Sequence, residues 1–191
     1  MSADAPALAA DPAAASAGRA RRADWRFLCS HPAHWLALGA GSGLSPIAPG
    51  TVGTLWAWLA FTVFDLWLTP GQWGVLLAVA LPLGWWACTV TARDLHTGDP
   101  GQVVWDEVIA FWLVLWVLTP AGFGMQLAAF VLFRWLDAAK PGPVGWADRL
   151  IQPRGGRIGW REGWGILFDD LVAAGCTLLL LAAFIHFRSV M

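Results

Sequence analysis

Gly101-Gln-Val-Val-Trp-Asp-Glu-Val-Ile-Ala-Phe-Trp-Leu113 sets two adjacent carboxylates, Asp106 and Glu107, at the mouth of an otherwise apolar run. A carboxylate carried into hydrocarbon costs about 3 kcal/mol on insertion scales, so acids placed there serve an ion, a proton or a substrate. The competing reading puts both just outside the bilayer as the start of a helix, where acids are also favoured. Hydrophobic residues make up 58% of the 191-residue chain and charged residues 13%, and the mean hydropathy is +0.57. A soluble domain carries about 25% charged residues. The fold class that follows is all-α: a polytopic helical membrane protein with about four to five transmembrane or re-entrant helices.

Composition also narrows the chemistry. A net charge of −1 gives no argument for nucleic acid. Cys29, Cys88 and Cys176 are scattered and form no CxxC pair, and His31, His34, His96 and His186 make no soft-metal cluster. Any metal would therefore draw on carboxylates, which suit magnesium, calcium or manganese. Fifteen tryptophans with no tyrosine read mostly as interface belt and packing residues.

Residues 1–30 read as a disordered cytoplasmic leader, because Arg19, Arg21 and Arg22 follow the alanine-rich stretch instead of preceding it as in a signal peptide. Residues 31–191 form one membrane-embedded domain. The segment His34 to Thr54 is apolar but broken by Gly and Pro. It is either a structural re-entrant turn or a loop whose N–H groups and hydroxyls, among them Ser45, Thr51 and Thr54, cradle an anion. Spans are expected over 55–69, 73–92, 103–118, 123–136 and 164–187, and several fall short of the roughly 20 residues that a straight crossing needs. A long polar loop is expected over 141–163.

With five spans and the N-terminus inside, nearly every Arg and the single Lys face the cytoplasm, as the positive-inside bias requires. No insertion rule asks the acids to follow. Yet Asp94, Asp99, Asp106, Glu107, Asp137, Asp148, Asp169 and Asp170 all fall on that side, leaving Asp65 near the other face. Helical neighbours point about 100° apart, so one acid of each pair, Asp106/Glu107 and Asp169/Asp170, is expected to face a common ion. Lys140 either pairs with Asp137 at i, i+3 or contacts phosphate, and Arg134 is its basic neighbour. Such a set suits magnesium-assisted phosphoryl transfer on a lipid head group. A small transporter using the same acids would need a water route to the outer face. Neither a cysteine phosphatase loop nor a Ser-His-Asp arrangement is present in the pattern.

Four ordered stretches carry a resemblance: Gly41-Ser-Gly-Leu-Ser-Pro-Ile-Ala-Pro-Gly-Thr-Val-Gly-Thr54, Asp99-Pro-Gly-Gln-Val-Val-Trp-Asp-Glu107, Phe133-Arg-Trp-Leu-Asp-Ala-Ala-Lys-Pro-Gly-Pro143 with Asp148-Arg149, and Gly163-Trp-Gly-Ile-Leu-Phe-Asp-Asp-Leu-Val-Ala-Ala-Gly175. Together they resemble the phosphatidylglycerophosphatase A family over roughly residues 31–185. The resemblance implies a magnesium-dependent enzyme of the bacterial inner membrane that converts phosphatidylglycerophosphate to phosphatidylglycerol, or a phosphatase of another lipid phosphomonoester. It implies Asp99, Asp106, Glu107, Asp137, Asp169 and Asp170 as metal-binding positions, with Asp106, Glu107, Asp169 and Asp170 catalytic. Ser45, Thr51, Arg134 and Lys140 are expected on the substrate. The lipid and the bilayer are the expected partners; no nucleic acid and no protein partner is inferred. Residues 1–30 and the Arg- and Gly-rich stretch 154–162 depart from the family pattern.

Overall fold

A computed structural model describes residues 22–151 and 158–190, and these are mostly helical, with no strand among them. Eight α-helices follow in order: α1 (Trp25–Ser30), α2 (Pro32–Ala37), α3 (Pro49–Phe64), α4 (Pro70–Asp94), α5 (Trp105–Leu118), α6 (Phe123–Ala139), α7 (Pro143–Leu150) and α8 (Trp160–Val190). A 3₁₀ turn over Gly39–Leu44 joins α2 to α3. Helix starts follow local chemistry. Thr69 and Gln72 form a reciprocal capping box across Pro70, which satisfies the N–H groups of both residues at the start of α4. At the other end of α6, Lys140 adopts a left-handed conformation (φ 45°, ψ 50°) that stops the helix and turns the chain.

The short helix α5 is the centre of the bundle. Of its 14 residues only Val117 is exposed, and it packs against α3, α4, α6 and α8. A helix apolar on all sides belongs inside other helices, and here the carboxylates of its first turn are carried into the interior with it. Tryptophans make much of the surrounding core. Phe61 stacks on Trp73 at 4.3 Å, and Trp73 meets Trp112 at 5.8 Å. The buried indoles keep their N–H groups bonded: Trp112 donates to the Ala57 carbonyl at 2.8 Å and Trp73 to Asp65 at 3.0 Å. The belt reading therefore suits exposed residues such as Trp25, Trp67 and Trp135, whereas Trp73, Trp105 and Trp112 are core.

The all-helical class is as expected, and two helices, α4 with 25 residues and α8 with 31, are long and apolar enough to cross a membrane. Helices α3, α5 and α6 have 16, 14 and 17 residues, or roughly 21–26 Å at 1.5 Å per residue against a hydrocarbon core of about 30 Å.

Three expectations need correction. The disordered leader over 1–30 lies outside the described residues for 1–21, but its last part is ordered: α1 buries Phe27 and Leu28. Its neighbour α2 presents buried His34, whose ring stacks on Phe27 at 3.9 Å and whose Nε2 lies 2.8 Å from Asp94 at the end of α4. These contacts fold residues 24–37 onto the bundle end. Second, α3 begins at Pro49, inside the Gly/Pro-rich stretch read as a loop, because proline is at home in a first helical turn. Third, the polar loop over 141–163 contains the amphipathic helix α7, which buries Val144 and Ala147; residues 152–157 lie outside the described set.

Candidate active site

Four helices bring their polar residues to one end of the bundle. Helix α5 supplies Asp106 and Glu107 from its first turn, and its entry is pinned by the Val104 N–H donating to the Ala37 carbonyl at 2.9 Å. Helix α8 supplies Asp169 and Asp170. It starts at Trp160, earlier than the expected 164, so these acids stand in its third turn, roughly 15 Å from its beginning. Helix α6 adds Arg134 and Asp137 from its last turns, and α3 adds its N-terminus.

Carboxylate oxygens of Asp106, Glu107 and Asp170 all lie within 4.8 Å of one another. Adjacent acids therefore do share one focus, against the expectation that only one of the pair would. The glutamate has one more methylene than its neighbour, and that reach offsets the 100° between them. Asp106 Oδ1, Glu107 Oε2 and Asp170 Oδ2 are buried with no hydrogen-bond partner. Two like charges about 4 Å apart repel by roughly 4 kcal/mol at an effective dielectric of 20, and orphaned buried oxygens are costly. Such a set of hard oxygen donors from two helices fits a divalent cation of the magnesium or manganese kind.

Arg134 flanks this cluster. Its guanidinium bonds Asp137, lies 3.5 Å from Glu107 and reaches Thr54 Oγ1 of α3 at 3.5 Å. Gly50 closes the opposite side. A Cβ there would stand 2.1 Å from Glu107 Oε1 and 3.0 Å from an Arg134 terminal nitrogen, so only glycine lets the start of α3 approach the acid and the guanidinium this closely.

Lys140 faces away from Asp137. The left-handed turn at its own backbone aims the side chain between α7 and α8, where Nζ donates to Asp148 at 2.5 Å and to Asp169 at 2.6 Å. Burial works against the ammonium, but those two bonds and charges outweigh it and hold the group above the ordinary lysine range. Asp99, Asp148, Asp169 and Glu162 line a cavity of about 210 Å³ beside the first cluster. Burial pushes the Asp99 carboxyl above the usual carboxylate range, and the Lys140 charge opposes that shift. Replacing Lys140 by Met is expected to lower stability by about 1–3 kcal/mol, as the buried Asp169 and the partly exposed Asp148 lose their cation. Urea denaturation of the purified protein followed by circular dichroism would measure it.

Of the expected metal set, then, the structure gathers Asp106, Glu107 and Asp170 around one point. It places Asp137 on Arg134, Asp169 on Lys140 and Asp99 on the neighbouring cavity. Among the expected substrate contacts, Arg134 borders the cluster, whereas the Ser45 hydroxyl donates to the Ile47 carbonyl within its own turn at 2.8 Å. Thr51 sits half-buried in the first turn of α3. The sequence placed Asp148 among the acids of one face and Gly50 in a turn-rich stretch, but it assigned neither a role in the site. The signal for Gly50 was its place directly after a helix-starting proline, and that for Asp148 was membership of the third motif.

Comparison with known proteins identifies the family. The family model described as phosphatidylglycerophosphatase A matches residues 35–185. A protein of Escherichia coli (strain K12) named phosphatidylglycerophosphatase A is 38% identical over 148 residues, covering 78% of this chain and 80% of that one. Its namesake from Haemophilus influenzae is 34% identical over 144 residues, covering 75% and 83%. No solved structure matches the chain. With a family model spanning all four motifs and relatives aligned over most of both lengths, the chain belongs to the phosphatidylglycerophosphatase A family.

Proposed function

We propose that the protein hydrolyses the terminal phosphate of phosphatidylglycerophosphate, giving phosphatidylglycerol and inorganic phosphate, with magnesium held by Asp106, Glu107 and Asp170. The observation that carries this reading is the convergence of three carboxylates with unpartnered buried oxygens in a chain of this family. Magnesium bound there would neutralise phosphate oxygens and make a bound water more acidic.

The chain's own residues supply the remaining parts. Arg134, held by Asp137 and beside Glu107, directs positive charge at a phosphoryl group seated on the acids. The N-terminus of α3 adds the positive end of a 16-residue helix on the same side. Lys140 fixes Asp169, and through the shared backbone it fixes the position of Asp170. The clustering of Arg93, Arg134, Lys140, Arg149 and Arg161 in the segments that carry the acids supports an active site at the cytoplasmic face of the bacterial inner membrane.

Phosphate release by the purified protein from phosphatidylglycerophosphate in detergent micelles tests the reading. Release is expected with magnesium, and at least about tenfold less with EDTA or with phosphatidic acid as substrate. Folded protein that releases no phosphate from phosphatidylglycerophosphate in magnesium would refute it.

A further inference from the structure

We infer that the groove between α3 and α6 seats an acyl chain of the lipid substrate, an assignment that rests on the proposed reaction. The groove has a volume of about 480 Å³ and is lined by Leu55, Trp58, Leu59 and Thr62 of α3 and by Phe123 and Gln126 of α6. Its walls are mainly apolar and open outward: Leu55 is 47% exposed, Leu59 65% and Phe123 72%.

The floor of the groove is built. Trp58 stacks on Phe123 and on Phe130, each at 5.6 Å between centroids, and donates its indole N–H to Gln126 Oε1 at 2.6 Å. Gln126 in turn donates to the Ala121 carbonyl at 2.8 Å. Both ends of the one amide among these walls are thus hydrogen-bonded, and the surface left for a ligand is mainly hydrocarbon and ring face.

Position identifies the occupant. On α3 the residues Gly50, Thr54 and Trp58 follow one another at i, i+4, and on α6 Gln126, Phe130 and Arg134 do the same, so both stripes run along a single seam. One end of that seam is the Glu107–Arg134–Thr54 junction beside the acid cluster. From Thr54 the lining continues to Thr62, eight residues or roughly 12 Å along the helix. The acid cluster with its flanking guanidinium at one end and an apolar trough leading away from it follow the order of the lipid, phosphate head group first and acyl chain after. A chain lying in the groove would hold the head group in register with Asp106, Glu107 and Asp170, with binding energy from the tail serving orientation at the reacting phosphate.

The test compares dioleoyl with dihexanoyl phosphatidylglycerophosphate in mixed micelles of one detergent. Wild-type protein is expected to favour the long-chain lipid in kcat/KM by at least about tenfold, corresponding to two or more buried methylenes. Leu59→Trp, which fills the groove, is expected to remove most of that preference. Val75→Trp, at a 65% exposed apolar position on α4 away from the seam, is expected to retain it. The assignment is overturned by absence of a chain-length preference in wild type, by an unchanged preference in Leu59→Trp, or by an equal loss in Val75→Trp. Failure of wild type to hydrolyse either lipid would instead overturn the proposed reaction.

Discussion

Asp170→Asn is expected to lower kcat by about 10³-fold while leaving the protein folded, because one donor of a three-carboxylate metal site loses its charge at almost constant shape. Asp170 is 3% exposed, and its Oδ2 has no partner. The same substitution removes one of three crowded acids, so in EDTA the variant is expected to be as stable as wild type or more stable, by about 1 kcal/mol, or about 3 °C in Tm for a chain of this size. Magnesium should raise the Tm of wild type by mass action and leave that of the variant nearly unchanged. Measuring phosphate release beside thermal unfolding with and without magnesium separates the roles. Activity within tenfold of wild type would remove Asp170 from the site, and a large loss of Tm in EDTA would make it a structural residue.

Gly50→Ala is expected to reduce kcat/KM by about 100-fold, since a displacement of about 1 Å among catalytic groups has that scale of effect. The new methyl group would meet Glu107 Oε1 at 2.1 Å and both terminal nitrogens of Arg134 at 3.0 and 3.2 Å, so carboxylate and guanidinium must both move. Helix propensity acts the other way: alanine favours a helix over glycine by about 1 kcal/mol. Activity should therefore fall with little or no loss of Tm. Gly71→Ala, at the start of α4 with nothing within 4 Å of the added Cβ, serves as the comparison and should stay within about twofold of wild type. Equal activities in the two variants would mean that the close approach of α3 to Glu107 does not matter to the reaction.

Both expectations rest on features of different legibility. Asp170 could be read from the chain, because two acids inside the apolar run 164–187 have no reason to be there except a site. Gly50 could be read only as a turn former. That its missing side chain makes room for an acid 57 positions away needed the packing of α3 against α5 and α6. Lys140 shows the same division. Its i, i+3 spacing from Asp137 was visible, but the left-handed backbone at the end of α6 sends the side chain to Asp148 and Asp169, and Arg134 takes Asp137 instead.

Composition and apolar runs by themselves determined that the chain is helical and suited to a membrane, and the four motifs by themselves determined the family. The burial of carboxylates inside apolar sequence determined that a polar site had to exist, because hydrocarbon tolerates them only with partners. Which acids share one point was decided by tertiary structure alone. Distances between α3, α5, α6 and α8 depend on how close small residues let the helices come and on where each helix starts, and neither is a local property of sequence. Asp106, Glu107 and Asp170 converge while Asp137 pairs with Arg134, Asp169 pairs with Lys140 and Asp99 lines the neighbouring cavity, because the central helix α5 is enclosed on all sides and carries its first turn into the meeting point of the other three.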